Sequence, residues 1–273
     1  MLALDQRVSL RNIFVDAGLE STEAAMDAFR TAVTSTLAPI ASAILLDPGY
    51  LSRAPEPGPW VSGGALVVAA DELVQEDGQP ASDSTLVPAA AAVARARDAT
   101  ALKLMVIWDR HGDNERRLAL VRSFVELAHD HDLVAITEGI VPADPDGTPA
   151  RADELLEVTA ALSEGADLYK AQVPIHGGAA AIDVERLSLE MSTILPCPWV
   201  VLSNGVPQER FGELVGAACR GGASGFLAGR AIWRSAVGQR DPKAHLEREG
   251  SARLRELIEV VDAEARPWQE AVA

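Results

Sequence analysis

The chain has 273 residues, of which 48% are hydrophobic and only 4% are aromatic, so alanine, valine and leucine must fill its core. Its formal net charge of −16 argues against binding to nucleic acid or to an anionic membrane surface, because both need a basic face. Two cysteines are too few for a disulfide framework, and no stretch reads as a signal peptide or a transmembrane helix, so we expect a soluble, cytoplasmic protein.

Strand-like and helix-like segments alternate along the whole chain. Short apolar runs that end at polar residues predict eight strands, at residues 2–4, 40–46, 65–70, 102–108, 133–137, 166–173, 199–202 and 224–228. Amphipathic segments predict helices at residues 21–37, 89–98, 113–130, 152–164, 183–194, 208–220 and about 243–265.

The repeating order of strand and helix implies a parallel sheet. Eight such units in roughly 250 residues match the size of a TIM barrel. We therefore expect an α/β fold in which a single (β/α)8 TIM barrel domain spans residues 1–273, with a doubly wound open sheet as the alternative.

Polar residues recur at the C-terminal ends of the predicted strands. They are Asp5, Asp47, Asp109, Glu138, Lys170, Ser203 and Arg230. In a TIM barrel these strand ends form one face, and the active site is built there. We therefore expect the seven side chains to meet around one cavity.

Lys170 is the most informative of these residues, because it lies inside a short apolar strand that ends at Pro174. Burying an ammonium is unfavourable unless it is paired, and the chain has only three lysines against 21 arginines. Unlike arginine, a buried lysine can lose its proton and attack a carbonyl. Two interpretations stay open: an ordinary lysine that reaches solvent, or a nucleophile that forms a Schiff base.

Two glycine-containing loops follow the seventh and eighth predicted strands. The first contains Ser203 and Gly205, and the second ends with Gly229 and Arg230. Loops at these positions often bind phosphate in TIM barrels, because glycine lets backbone N–H groups approach an anion and arginine adds a charged fork. The alternative is that the glycines form ordinary turns.

Other side chains suit supporting roles. Asp5 can hydrogen-bond a substrate hydroxyl, with a solvated strand end as the alternative. Glu138 can act as a general acid–base, although a single carboxylate at a strand end is more often a structural partner. Lys103 begins the fourth strand; if it points inward, its ammonium disfavours protonation of Lys170, and otherwise it closes the barrel floor.

No histidine or cysteine spacing predicts a zinc site, so we expect neither a metal nor another cofactor. Ser203 lacks the nucleophile-elbow pattern of serine hydrolases.

Seven segments occur in the same order as in a known family. They are residues 2–7 (LALDQR), 41–47 (ASAILLD), 68–72 (VAADE), 103–108 (KLMVIW), 165–170 (GADLYK), 198–203 (PWVVLS) and 222–233 (GASGFLAGRAIW). Together they resemble the class I aldolases related to tagatose-bisphosphate aldolase. Within that family the sulfofructosephosphate aldolases of sulfoglycolysis are the most similar group.

The resemblance implies a TIM barrel that cleaves 6-deoxy-6-sulfofructose 1-phosphate into dihydroxyacetone phosphate and sulfolactaldehyde. It implies that Lys170 is the Schiff-base lysine and Glu138 the acid–base, with Asp5 and Lys103 lining the site. The residues implied for the two anionic ends of the substrate are Ser203, Gly205, Gly229 and Arg230 for the phosphate, and Gln6 and Arg7 for the sulfonate.

Three positions differ from the pattern of that family. Gln172 stands where the family tends to have glutamate, Gly139 where it tends to have proline, and Asn204 where it tends to have serine. These differences bear on the substrate more than on the imine.

Alternative functions remain at this stage. The nearest is a tagatose- or fructose-bisphosphate aldolase, which differs only in the anion at C6. Two others are a different imine-based aldol condensation and a non-catalytic barrel that binds a sugar phosphate. We also expect self-association into a homo-oligomer, as the resemblance implies.

Overall fold

A computed structural model of the chain describes residues 1–56, 58, 60, 64–75, 81–112, 114–144, 147, 150–175, 178–203 and 206–270. The strands within this part of the chain are β1 (Leu2–Leu4), β2 (Ala43–Leu46), β3 (Ala65–Ala69), β4 (Asp71–Val74), β5 (Asp83–Leu86), β6 (Ala101–Ile107), β7 (Val134–Ile140), β8 (Leu168–Gln172) and β9 (Trp199–Leu202).

The α-helices lie mainly between these strands. They are α1 (Val8–Asp16), α2 (Glu23–Leu37), α3 (Pro48–Arg53), α4 (Ala89–Ala96), α5 (Glu115–Asp130), α6 (Ala152–Leu162), α7 (Ala181–Ile194), α8 (Gln208–Arg220), α9 (Arg230–Trp233), α10 (Pro242–His245) and α11 (Ser251–Glu264). A π-helical turn at Leu246–Gly250 joins α10 to α11. Among the described helices, none has the length and hydropathy needed to cross a bilayer.

The main sheet is parallel and closes on itself, which confirms the predicted TIM barrel. Seven strands follow the order β1-β2-β3-β6-β7-β8-β9. The segment at residues 224–228 fills the gap between β9 and β1. It forms single parallel bridges from Phe226 to Val201 and from Ala228 to Leu2.

This closing segment is less regular than the eighth strand that the sequence predicts. It keeps the hydrogen bonds from Val201 N to Gly225 O (3.0 Å) and from Ala3 N to Ala228 O (2.8 Å). However, Gly225 has φ of +138°, which is outside the β region and interrupts the strand.

Several elements were not predicted. Among them are helix α1, which begins after a three-residue connection from β1, the short helix α3, and an antiparallel hairpin of β4 and β5 that extends from the C-terminal end of β3. The start of α2 agrees with a cap predicted from the sequence, because Thr22 accepts a hydrogen bond from Ala25 N. Polar sequence around Asp71 concealed the hairpin, since its strands have no clear apolar alternation.

The barrel interior contains an apolar layer below a charged layer. The apolar layer consists of Ala3, Ala43, Leu45, Val67, Ala69, Ala101, Ile136, Val200 and Leu227. Side chains alternate across a strand, so the residue two positions further along also points inward. In several strands that next inward residue is charged. A larger core packs between the outer face of the sheet and the helices, where Tyr169 is buried as its alternation with Lys170 predicts.

Gly229 tests how tightly the barrel is closed. A Cβ at this position would lie 2.1 Å from Ala3 O in β1 and 3.0 Å from Trp233 Nε1. We therefore expect Gly229→Ala to lower the free energy of unfolding by about 1–3 kcal/mol, measured by urea denaturation.

Gly212→Ala is the matched control. Gly212 lies inside α8, and the nearest atom to an added Cβ is Leu257 Cδ2 at 4.0 Å. Here alanine should leave stability unchanged or raise it by about 0.5–1 kcal/mol, since glycine weakens a helix interior. Equal effects of the two substitutions would contradict the close packing at Gly229.

Candidate active site

Three neighbouring strands place a lysine, a glutamate and a second lysine on the inner face of the barrel. Lys103, Glu138 and Lys170 lie on β6, β7 and β8, and Glu138 is directly opposite Lys170 in the register of β7 and β8. Lys103 and Glu138 each stand two residues after a member of the inner apolar layer. Lys170 stands two residues after Leu168, which packs against that layer. The fold therefore brings together three residues that are far apart in sequence.

Lys170 and Glu138 form a buried ion pair. Lys170 Nζ lies 2.9 Å from Glu138 Oε2, and the residues are 4% and 2% exposed. The location contradicts an ordinary lysine that reaches solvent at a strand end. A carboxylate at this distance can accept a proton from the amine, which is what a nucleophilic lysine needs.

Lys103 points inward and is fully buried in the same cluster. Its Nζ lies 2.8 Å from Asp71 Oδ1, 2.9 Å from Asp5 Oδ2 and 3.4 Å from Glu138 Oε2. Burial alone would lower the pKa of Lys103, but Asp5, Asp71 and Glu138 outweigh it and hold the pKa well above the ordinary lysine value. Lys103 is therefore a permanent cation at pH 7.

Asp5 is the carboxylate whose titration the cluster changes most clearly. Burial would raise its pKa, but the charges of Lys103 and Lys170 prevail and lower the pKa of Asp5 to about 2. Gln6 Nε2 also donates to Asp5 Oδ1 at 3.2 Å. Asp5 thus stays ionised and presents a fixed acceptor beside both lysines.

Asp71 belongs to the cluster, although the sequence prediction did not include it among the site residues. It is 2% exposed, and it accepts hydrogen bonds from Lys103 Nζ and from Met105 N (3.0 Å). A signal was present, because Asp71 follows the inward-facing Ala69 by two residues, as Asp5 follows Ala3. The predicted strand at residues 65–70 ends immediately before Asp71, so the rule that selects Asp5 and Asp47 also selects Asp71.

Arg7 lies at the rim of the site, where carboxylates engage its guanidinium. Its Nε lies 3.3 Å from Asp47 Oδ2 and its terminal nitrogen 3.1 Å from Asp71 Oδ2. Arg7 and Asp47 also line a cavity of about 380 Å³. The other charged residues that line it are Arg11, Glu23, Arg30, Arg53 and Glu72.

The residues predicted to bind phosphate lie on the next part of the same face. Ser203 directly follows β9, and Arg230 begins α9 directly after Gly229. Burial and the nearby Arg234 lower the pKa of Arg230, whereas Asp5 and Glu138 raise it. Arg230 is therefore within electrostatic range of both the central cluster and Arg234. Gly205 and Asn204 lie outside the described residues.

Asp109 is not part of the cluster, although it follows a strand. Its carboxylate accepts a hydrogen bond from His111 N at 3.0 Å and so stabilises the loop after β6.

Two of the differences from the resembled family have local explanations. Gln172 Oε1 accepts from Val141 N at 2.7 Å, and a Cβ at Gly139 would lie 2.4 Å from the Tyr169 hydroxyl.

Among the described residues, no group of three or more histidine, cysteine, aspartate or glutamate residues has an arrangement that could hold a metal ion.

Comparisons with known proteins identify aldolases as similar to this chain. The sequence profile of the DeoC/LacD family aldolases matches residues 1–235. Tagatose 1,6-diphosphate aldolase 2 of Enterococcus faecalis is 28% identical over 302 residues, which cover 98% of this chain and 90% of that protein. The protein of the same name from Streptococcus mutans is 25% identical over 310 residues, which cover 100% and 92%.

Solved structures share the fold at lower identity. A Schiff base forming fructose-1,6-bisphosphate aldolase has a TM-score of 0.64 and 16% identity, over 95% of this chain and 92% of that one. Fructose-bisphosphate aldolase from Slackia heliotrinireducens also has a TM-score of 0.64 at 16% identity, over 96% and 85%.

Removing Lys103 tests the charge balance of the cluster. In Lys103→Met, three carboxylates lose the cation between them, so we expect the free energy of unfolding to fall by about 3–5 kcal/mol at pH 8. Lys243→Met is the control, because Lys243 is exposed on α10 and its loss should change stability by less than about 0.5 kcal/mol.

The pH dependence of this effect has a defined sign. In the wild type, the lowered pKa of Asp5 contributes stability that is present above about pH 4 and lost as the pH falls towards 2. Without Lys103, Asp5 loses the larger of the two charges that lower its pKa and binds a proton at higher pH, which relieves the repulsion within the cluster. The deficit of Lys103→Met relative to wild type should therefore shrink from pH 8 to pH 5. A deficit that does not change with pH would contradict the account.

Proposed function

Because the chain belongs to the DeoC/LacD aldolase family, we propose that it is a class I aldolase, a lyase that cleaves a ketose 1-phosphate through an imine on Lys170. The observation that carries this proposal is the buried contact of 2.9 Å between Lys170 Nζ and Glu138 Oε2 at the C-terminal face of the barrel. It joins a nucleophile to a base where substrates bind in this fold.

The proposed reaction begins when Lys170, as the neutral amine, attacks the C2 carbonyl of the ketose and water leaves. The protonated imine withdraws electrons from the C3–C4 bond. Glu138 takes the proton of the C4 hydroxyl, the C3–C4 bond breaks, and an aldehyde departs. The enamine that stays on Lys170 takes a proton at C3, and water then hydrolyses the imine to release dihydroxyacetone phosphate.

Asp5 and Lys103 complete the proposed catalytic group. Lys103 is a fixed cation 3.4 Å from Glu138, so it stabilises the carboxylate form of the base. Asp5, ionised and facing both lysines, offsets part of the positive charge that the imine adds. It also provides an acceptor for a substrate hydroxyl.

The phosphate end of the substrate is assigned to the loops after β9 and after the closing segment. We propose that Ser203, Gly205, Gly229 and Arg230 bind it. The charge of Arg230 beside Arg234 supports this assignment, because a chain with a net charge of −16 attracts an anion only at a local positive region.

The other end of the substrate is assigned to Gln6 and Arg7. Within the part of the chain that the structure describes, Gln6 Oε1 is a buried acceptor without a hydrogen-bond partner, which suits a substrate hydroxyl. Arg7 is largely neutralised by Asp47 and Asp71. The other arginines of the adjoining cavity also pair with carboxylates, namely Arg11 with Glu23, Arg30 with Asp27, and Arg53 with Asp27 and Glu23.

This charge balance favours a singly charged group over a phosphate of about −1.5 to −2. We therefore propose 6-deoxy-6-sulfofructose 1-phosphate as the substrate, cleaved to dihydroxyacetone phosphate and sulfolactaldehyde. Tagatose 1,6-bisphosphate or fructose 1,6-bisphosphate is the second candidate, favoured by the names of the similar proteins.

Substitution of Lys170 tests the reaction class. Lys170→Arg keeps a cation beside Glu138 but cannot form an imine, so cleavage of the preferred ketose 1-phosphate should fall by roughly 10³-fold or more. Lys243→Arg, made in an exposed lysine, should leave the rate unchanged. Turnover that survives Lys170→Arg would contradict imine catalysis, and substrate binding without turnover in the wild type would favour a non-catalytic barrel.

Comparison of substrates tests the distal group. We expect kcat/KM for 6-deoxy-6-sulfofructose 1-phosphate to exceed that for the tagatose and fructose 1,6-bisphosphates by at least about tenfold, a difference of 1.4 kcal/mol in transition-state binding. Release of dihydroxyacetone phosphate, followed with a coupled dehydrogenase, measures all three. Equal rates would remove the sulfosugar assignment, and faster cleavage of a bisphosphate would establish the second candidate.

A further inference from the structure

Two ammonium groups compete for one carboxylate oxygen in this site. Glu138 Oε2 lies 2.9 Å from Lys170 Nζ and 3.4 Å from Lys103 Nζ. The proposed reaction needs Glu138 beside Lys170. Another group must therefore keep the ammonium of Lys103 from pairing more closely with Glu138.

Resting on the function proposed above, we infer that Asp71 is a positioning residue that holds Lys103 back from Glu138, so that Glu138 stays paired with Lys170. Asp71 makes the shortest contact of Lys103, at 2.8 Å, which is shorter than the contact of Lys103 with Glu138. Asp71 is the first residue of β4, next to the C-terminal end of β3.

The carboxylate of Asp71 is itself held firmly. Oδ1 accepts from Met105 N at 3.0 Å, and Oδ2 lies 3.1 Å from a terminal nitrogen of Arg7. Met105 stands two residues after Lys103 on β6, so Asp71 fixes the strand and the side chain together. Because Asp71 is only 2% exposed, water cannot readily replace it as a partner.

Loss of this carboxylate should redistribute the remaining contacts. Lys103 stays protonated, because Asp5 and Glu138 still face it. With one partner fewer, Lys103 keeps Asp5 at 2.9 Å and can approach Glu138, now 3.4 Å away, more closely. Glu138 would then move from Lys170 towards Lys103. Lys170 would then lose the base that accepts its proton.

The pH dependence follows from the charges around the cluster. The groups that face it are Asp5 from β1, Arg7 from the β1–α1 connection, Asp47 after β2, Lys103 from β6, Glu138 from β7, Lys170 from β8 and Arg230 from α9. Removal of one negative charge makes protonation of the groups that remain less favourable. The acid limb of the activity profile should therefore move to lower pH.

The test uses Asp71→Asn in the full-length chain. We expect kcat to fall on the order of 10- to 100-fold, less than the loss of a general acid–base group, and the acid limb of kcat/KM to shift down by about 0.5–1 pH unit. A merely structural role would lower the amount of active enzyme without shifting the profile. An unshifted profile with kcat within about threefold of wild type would overturn the inference.

Asp47→Asn is the matched control. Asp47 also pairs with Arg7 but makes no contact with Lys103 among the ion pairs of the described residues. This variant should alter KM through Arg7 and move the acid limb by less than Asp71→Asn does, because Asp47 pairs with Arg7 whereas Asp71 contacts Lys103 directly. A shift as large as that of Asp71→Asn would show that Arg7, and not Lys103, transmits the effect of Asp71.

A second comparison decides the question even if Asp71→Asn does not fold. Lys103→Met and the double variant Asp71→Asn/Lys103→Met are compared by deuterium exchange at C3 of dihydroxyacetone phosphate, which reports enamine formation. If Asp71 acts through Lys103, the two exchange at rates within about twofold of each other. A double variant more than about tenfold slower would overturn the inference.

Failure of the proposed function gives a different result. A wild-type protein with neither cleavage nor C3 exchange would refute the aldolase assignment itself. A wild type with normal exchange, together with variants that break the expected pattern, would refute only the role of Asp71.

Discussion

The buried ion pair between Lys170 and Glu138 is the contact on which the site depends. Burying either charge alone would be costly, because each would lose its hydration without gaining a partner. The pair is tolerated because Lys103, Asp5 and Asp71 surround it with alternating charge. Reactivity in this site and stability of the barrel therefore rest on the same few contacts.

The barrel supplies the geometry that this cluster needs. Its inner apolar layer fills the floor with small and branched side chains, and the strand alternation then places the next inward residue at the C-terminal face. Asp5, Lys103, Glu138 and Lys170 all reach the site in this way. Gly229 adds a further constraint, because the closing segment approaches β1 too closely for any side chain.

Much of this arrangement was predictable from the sequence. A lysine inside a short apolar strand, in a chain with few lysines, identified Lys170 as unusual, and the alternation of strands and helices predicted the barrel. Lys103 was ambiguous, since its direction depends on the register of β6. In the structure Lys103 points inward. Three carboxylates surround its ammonium, so Lys103 is one member of a balanced cluster and not an unpaired second cation beside Lys170.

Other features depend on contacts between distant residues that no local pattern records. Asp71 lies where β3 gives way to a polar hairpin, and although its spacing from Ala69 indicates an inward direction, its contacts with Lys103 and Arg7 come from other parts of the chain. The pairing of Arg7 with Asp47 and Asp71 joins three separate segments of the chain. The apolar residues of the closing segment predict a strand, whereas in the structure Gly225 interrupts it.

The most direct measurement is reduction with borohydride in the presence of dihydroxyacetone phosphate, followed by intact mass and peptide mapping. The account predicts one covalent adduct, located on Lys170. Among the three lysines, Lys170 alone is buried and paired with a single carboxylate within ion-pair distance in the described structure. An adduct on Lys103, or no adduct when binding of dihydroxyacetone phosphate is shown independently by calorimetry, would contradict it.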